Sequence, residues 1–199
     1  MPDEVAAAAE AKTMAWCETV AALPLCPWAR RALAADGAVR VVVSAAEDLD
    51  ALESACVAAA KDVCASRHGA DVAIVFVVVP NYHPGDFDAF RIDVETLEDE
   101  RFPRAPPVFA GSECLADDVQ LAPFHPGWLW SGGFDDDDPI HFDKRAPYPT
   151  ISLVQVAGLD GMDSESVAAT NEAVLAAAGR ERLAAIFATF AARQPPRGG

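Results

Sequence analysis

The stretch Val72-Ala73-Ile74-Val75-Phe76-Val77-Val78-Val79, closed by Pro80, decides the reading of the fold. It is apolar without interruption and rich in β-branched residues, so it reads as a central strand buried on both faces. A strand of that kind needs helices above and below it, or a parallel neighbour. Just upstream, residues 44–67 read as a helix carrying Leu49, Leu52, Cys56, Ala59 and Val63 at alternating steps of three and four. Ser44 and Glu47 have the S-x-x-E spacing of a capping box, and Gly69 reads as the stop. Before that helix, residues 39–43 read as a short strand, polar only at Arg40. Residues 5–23 form an alanine-rich helix ended by Pro24, and residues 28–35 a second short helix closed by Gly37.

Downstream of Pro80, Asp86 is placed to cap a helix bearing Phe87, Phe90, Val94 and Leu97, which Pro103 must end. Residues 104–118, with Pro106 and Pro107, read as a connector. Residues 119–122 read as a strand that Pro123 marks as an edge or a strand end. A further strand is expected over 150–156, then helices over 164–178 and 180–192 separated by Gly179. The fold class is therefore α/β (α+β), a mixed sheet of about four strands covered by helices. A long Pro/Trp-rich loop, 124–149, lies between the last two strands, and a loop of that length in a compact domain is usually functional. Residues 1–193 are expected to form one domain, with 194–199 as a frayed tail.

Composition narrows the classes of function. The chain has 199 residues, 52% of them hydrophobic. A chain of this length buries roughly 70% of its unfolded surface, enough for a substantial core. Its net charge of −16 repels nucleic-acid phosphates and anionic lipid, so neither nucleic acid nor a membrane is expected as a partner. A monomer or weak dimer is expected. The only lysines are Lys12, Lys61 and Lys144, so a site for a small anionic ligand would draw on arginine. Five cysteines without a C-x-x-C pair indicate neither a disulfide framework nor a zinc ribbon. Met1-Pro2-Asp3-Glu4 lacks the basic region of a secretory signal, and no apolar run approaches the ~18 residues of a membrane span. A cytoplasmic, reducing setting is the expectation.

Three short segments carry the chemistry: Leu25-Cys26-Pro27-Trp28-Ala29, Phe124-His125-Pro126 and Lys144-Arg145-Ala146-Pro147-Tyr148-Pro149. With Pro27 as first helical residue, Cys26 sits at the N-cap, where amide donors and the helix dipole favour a nucleophilic thiolate. Arg30, one turn on, adds positive charge at a substrate. The alternative is a small cysteine packed under Trp28, and Cys17, Cys56, Cys64 and Cys114 read as packing residues. His125, at the mouth of the long loop, has the chemistry of a general base, an anion contact or a metal ligand. Its alternative is a histidine bonded to backbone that orders the loop. Arg145 and Tyr148, pre-ordered by Pro147 and Pro149, form a candidate clamp for a carboxylate or phosphate. Against that stands an internal bridge from Arg145 to the acidic run 135–138. That run lacks the glycine and glutamate of a calcium loop and reads as a solvated turn. Cys26, His125 and His141 are suitable metal ligands without diagnostic spacing, so no metal is assigned, and the sequence names no cofactor. Two functions remain: a small-molecule enzyme using Cys26 and His125 with the arginine–tyrosine clamp, or a non-catalytic module presenting exposed Trp128 and Trp130 to a ligand or protein.

The three segments, in this order, resemble the domain-of-unknown-function 1415 family, with its L-C-P-[FW]-A, F-H-P and R-[SA]-P-Y-P signatures. The resemblance runs over about residues 16–175. It implies membership and candidate residues and carries no reaction. The family pattern continues with two residues and then H-L-L-R, so Ser152 stands where histidine is expected and Gln155 where arginine is expected. Thr170-Asn171 resembles the family's R-N pair, with threonine replacing arginine. Each replacement removes an ionisable group.

Overall fold

The computed structural model describes residues 1–65, 74–131, 134–159 and 163–190. Strand β1 is Val39–Val43 and β2 is Ile74–Val78, in parallel register from Val39 opposite Ile74 to Val43 opposite Val78. Helix α3, Leu49–Ala65, lies between them in sequence. Strands β3, Val119–Phe124, and β4, Thr150–Gln155, pair antiparallel, and β4 also lies antiparallel to β2. The sheet is therefore mixed and four-stranded, in the order β1-β2-β4-β3. Proline lacks an N–H, and Pro123 is accommodated because β3 is an edge.

All five residues of β2 are buried, and alternate residues serve two cores. Val75 and Val77 meet Leu52, Cys56, Ala60 and Val63 of α3, with Phe90 and Val94 of helix α4, Phe87–Thr96. Ile74, Phe76 and Val78 face the other way, toward Trp16 and Val20 of helix α1, Asp3–Ala22, and Ala29 of helix α2, Pro27–Leu33. Leu175 of helix α5, Ser164–Ala178, and Leu183 of helix α6, Arg180–Ala188, close this second core. Helices thus cover both faces, and each such aliphatic side chain contributes roughly 1.5–3 kcal/mol by leaving water. The expected mixed, helix-covered sheet is borne out.

Several boundaries differ from the expectation. Ser44 does not cap α3: its backbone N–H donates to the Val78 carbonyl at 2.8 Å, so it still belongs to the sheet's ladder. Asp48 caps instead, its Oδ1 accepting the Ala51 N–H at 2.8 Å. Asp86 does cap α4, accepting from Ala89. Pro103 falls inside a short 3-10 turn, Phe102–Arg104, because α4 has already widened into a π turn at Leu97–Arg101. Gly179, at φ 76°, separates α5 from α6 in a conformation that favours glycine. Gly69, His68 and residues 72–73 lie outside the described residues, as do residues 191–199.

Candidate functional site

The long loop leaves the sheet at Phe124 and returns at Thr150, residues paired with each other across β3 and β4. The Trp128 N–H donates to the His125 carbonyl and the His125 N–H to the Lys144 carbonyl, which closes the loop's base. A 3-10 segment, Pro139–Lys144, occupies its second half.

Two histidines brace this loop from inside. His125 is 1% exposed. Its Nδ1 accepts the Gly127 N–H at 3.0 Å, which leaves the proton on Nε2, 3.0 Å from the His83 carbonyl oxygen. His141 is held the same way: Nδ1 accepts from the Trp130 N–H at 3.0 Å, and Nε2 donates to the Asp135 carbonyl at 2.9 Å. Burial lowers the pKa of His125, since a second proton would face the Gly127 donor in a dry setting. Phe87 and Phe90 pack against the same ring.

Arg145 ends the 3-10 segment. Its Nε donates to the Trp128 carbonyl at 3.3 Å, and its guanidinium carbon lies 4.6 Å from the Phe142 ring centre. Its own carbonyl accepts the Trp16 indole N–H at 2.9 Å, tying α1 to the loop. Among the described residues Arg145 has no ion pair. Within the acidic run, Asp137 pairs with Arg180 at 2.6 Å and Asp138 accepts the Ile140 N–H. Burial first, and then the Arg180 charge, lower the pKa of Arg145. The Arg180 charge adds positive potential beside a guanidinium that has no carboxylate partner among the described residues.

Cys26 is the N-cap of α2, with extended backbone, and its sulfur accepts the Ala29 N–H at 3.3 Å. The packing expected against Trp28 lies outside the described side chains. Arg30 is exposed and reaches the Ala21 carbonyl at 3.5 Å. Lys144, next to Arg145, sets its ammonium 4.7 Å from the Phe124 ring centre. Burial lowers its pKa, opposed by the charges of Asp143, Cys26 and Glu98, so Cys26 and the loop share one electrostatic neighbourhood. Tyr148 is half-buried with its pKa raised by burial, and the Lys12 ammonium lies 6.0 Å from its ring centre. No hydrogen bond links Tyr148 to Arg145 among the described residues. Arg145, Trp128 and His125 thus belong to one hydrogen-bonded network.

Trp128 is not exposed as the sequence suggested: it is 7% exposed, lies 4.9 Å from Phe87 and 5.5 Å from Trp130, and Trp130 is itself half-buried. Among the described residues the indole nitrogens of both are buried without a hydrogen-bond partner, at about 1–3 kcal/mol each for an unpaired donor. Other polar residues escaped the sequence reading. Asp93 accepts the Tyr82 hydroxyl at 2.6 Å and meets His83 Nε2 at 2.9 Å. Asp118, 4% exposed, accepts the Val108 N–H at 2.8 Å and the Ser112 hydroxyl, fastening the connector. Asp143 accepts from Asn171 at 2.9 Å, bringing α5 onto the loop. Among the described residues no group of three or more His, Cys, Asp or Glu is placed to hold a metal ion.

The two family positions that differ fall on opposite sides of the sheet. Ser152 pairs with Phe76 and shares its face, whereas Gln155 pairs with Val119 of the other core. The replaced histidine and arginine therefore do not face one another.

The protein is a helix-covered mixed sheet whose loop at 124–149 gathers two tryptophans, two histidines bound to backbone and an arginine with no ion pair among the described residues. It belongs to the family described as protein of unknown function (DUF1415), whose model matches residues 8–185. That span holds all three motifs. No curated protein and no solved structure matches the chain. No helix among the described residues is long and apolar enough to cross a membrane.

Proposed function

We propose that the protein binds a small anion at the long loop, with Arg145 as the clamp and Tyr148 and Arg30 as neighbouring contributors. The observation that carries this is the half-buried Arg145 guanidinium, which has no carboxylate partner among the described residues of a chain with 31 acidic and 15 basic residues. With acids in twofold excess, an interior cation left unpaired is positioned for an outside counter-ion. Binding is favoured over catalysis by a Cys26–His125 pair, because both ring nitrogens of His125 are engaged with backbone groups. A general base needs one nitrogen free to take a proton. An enzymatic role would then rest on Cys26, whose sulfur already accepts an N–H at a helix start. The charge of −16 supports a monomer or weak dimer without nucleic acid, and five cysteines without a C-x-x-C pair support a reducing, cytoplasmic setting.

Thermal denaturation in a panel of sodium salts at constant ionic strength tests the proposal. An anion at ten times its Kd should stabilise by about 1.4 kcal/mol, raising Tm by roughly 3–6 °C. Arg145→Gln should abolish that shift while keeping the native circular dichroism. An equal shift in the variant would remove Arg145 from the site.

A further inference from the structure

The backbone of residues 127–130 is held chiefly by side chains. His125 Nδ1 accepts the Gly127 N–H at 3.0 Å, and His141 Nδ1 accepts the Trp130 N–H at 3.0 Å. Between them, Arg145 Nε donates to the Trp128 carbonyl at 3.3 Å. A backbone N–H only donates, so each Nδ1 presents its lone pair and each ring is neutral. Both histidines are 1% exposed, and their Nε2 atoms are engaged with the carbonyls of His83 and Asp135. A proton arriving on either Nδ1 would meet an N–H with no water to share it, so that bond would have to break. The closed arrangement also carries a cost that opening relieves. Among the described residues the indole N–H groups of Trp128 and Trp130 are buried without a partner, whereas Trp16 has the Arg145 carbonyl. Water would satisfy both if the segment swung out. Two neutral histidines therefore hold it shut against two unmet donors.

We propose that His125 and His141 form a pH-sensitive latch, closed at neutral pH, which opens when both Nδ1 atoms take up a proton and then presents Trp128 and Trp130 to solvent. The latch holds whether or not Arg145 binds an anion. Burial lowers the pKa of His125, as a closed latch requires. Of the charged groups around that ring, Asp86 at the start of α4 favours the imidazolium, and His83 in the turn after β2 opposes it. The α4 side chains packed on the ring, Phe87 and Phe90, carry no charge, and Asp93 of α4 is paired with His83. Around His141 stand the acidic run 135–138, Arg180 of α6 paired with Asp137, and Asp143 and Lys144 of its own 3-10 segment. From α5, Asn171 bonds Asp143. Carboxylates outnumber cations at His141 and Asp86 serves His125, so a freed imidazolium finds a counter-charge at either end.

Amide hydrogen exchange of the full chain, corrected for the intrinsic rate at each pH, tests the latch. In the open loop both histidines titrate near the ordinary value of about 6.5. Lowering pH from 6 to 5 should then cut protection of the Gly127 and Trp130 amides about sixtyfold for two protons, against about eightfold for one. At pH 5 both amides should exchange at least about a hundredfold faster than that of Val77 in β2, with far-UV circular dichroism unchanged. His125→Asn and His141→Asn each keep an oxygen that accepts the N–H and lose the titration. Either variant should reduce the fall to about eightfold, and the double variant should abolish it. A fall of about eightfold or less in the wild type would overturn the two-histidine latch. Equal exchange at Gly127, Trp130 and Val77 would overturn it too, since only global unfolding would then expose the loop. Should a variant fail to fold, the wild-type fall and the comparison with Val77 decide the question.

Discussion

The Nε2 of His125 lies 3.0 Å from the carbonyl oxygen of His83, so a ring at the end of β3 holds the turn that follows β2. His83 sits at φ 46°, a left-handed backbone that histidine adopts only when its surroundings hold it there. His125→Ala would strip partners from the His83 carbonyl and the Gly127 N–H, and leave a cavity beside Phe87 and Phe90. A loss of about 3 kcal/mol or more is expected in urea unfolding, because unpaired groups and lost packing add.

The same ring makes stability depend on pH. Its folded pKa is below the ordinary 6.5, so as pH falls the unfolded chain takes up the proton first. The contribution of His125 is complete above about pH 6.5 and is lost as pH falls from there through the folded value. Unfolding free energy measured from pH 7 to pH 5 should decline more steeply in the wild type than in His125→Asn. Parallel profiles would assign the decline to other groups.

Thiol reactivity should separate the cysteines. Burial pushes Cys56 up to about 12 and Cys64 to about 11. Cys17 also reaches about 12, through burial first and then the neighbouring Cys26 and Glu18. Iodoacetamide at pH 7 should leave Cys17 and Cys56 intact in the folded protein and alkylate the half-buried Cys26, as mapped by peptide mass spectrometry. A Cys26 that reacts only in denaturant would be a packing residue, and an enzymatic role would lose its nucleophile.

Helix α3 begins on Asp48, and this too has a measurable consequence. Asp48→Ala should cost about 1 kcal/mol, since the Ala51 N–H loses its acceptor. Ser44→Ala should cost only a few tenths of that, because Ser44 lies in the β1–β2 ladder and its hydroxyl accepts only the nearby Ala46 N–H. Urea midpoints at constant slope would rank the two.

What sequence reveals depends on how local the deciding interaction is. The β2 run, the Asp86 cap, the break at Gly179 and the edge at Pro123 are governed by residues within a few positions, and all were legible. Ser44 was misread because its deciding partner is Val78, across the sheet. The site follows the same logic. The types of His125, Arg145 and Trp128 were visible, but their partners were not: His83 is 42 residues from His125, and Arg180 is 43 from the Asp137 it occupies. Whether a donor is satisfied is settled by tertiary neighbours, so two unpaired indoles leave no mark in the chain.

The order β1-β2-β4-β3 leaves the sheet with two unlike borders. On the β3 side, Pro123 offers no N–H, so an incoming chain meets an interrupted template there. On the β1 side no proline interrupts the outward-facing donors, and the guard is chemical: Arg40, exposed and paired with Asp62 at 3.2 Å, would have to surrender its partner and its water before a second copy could anneal. Any polymerisation of this protein by strand addition would therefore grow from β1 and stop at β3, so two copies could join but a fibril could not propagate through the native sheet.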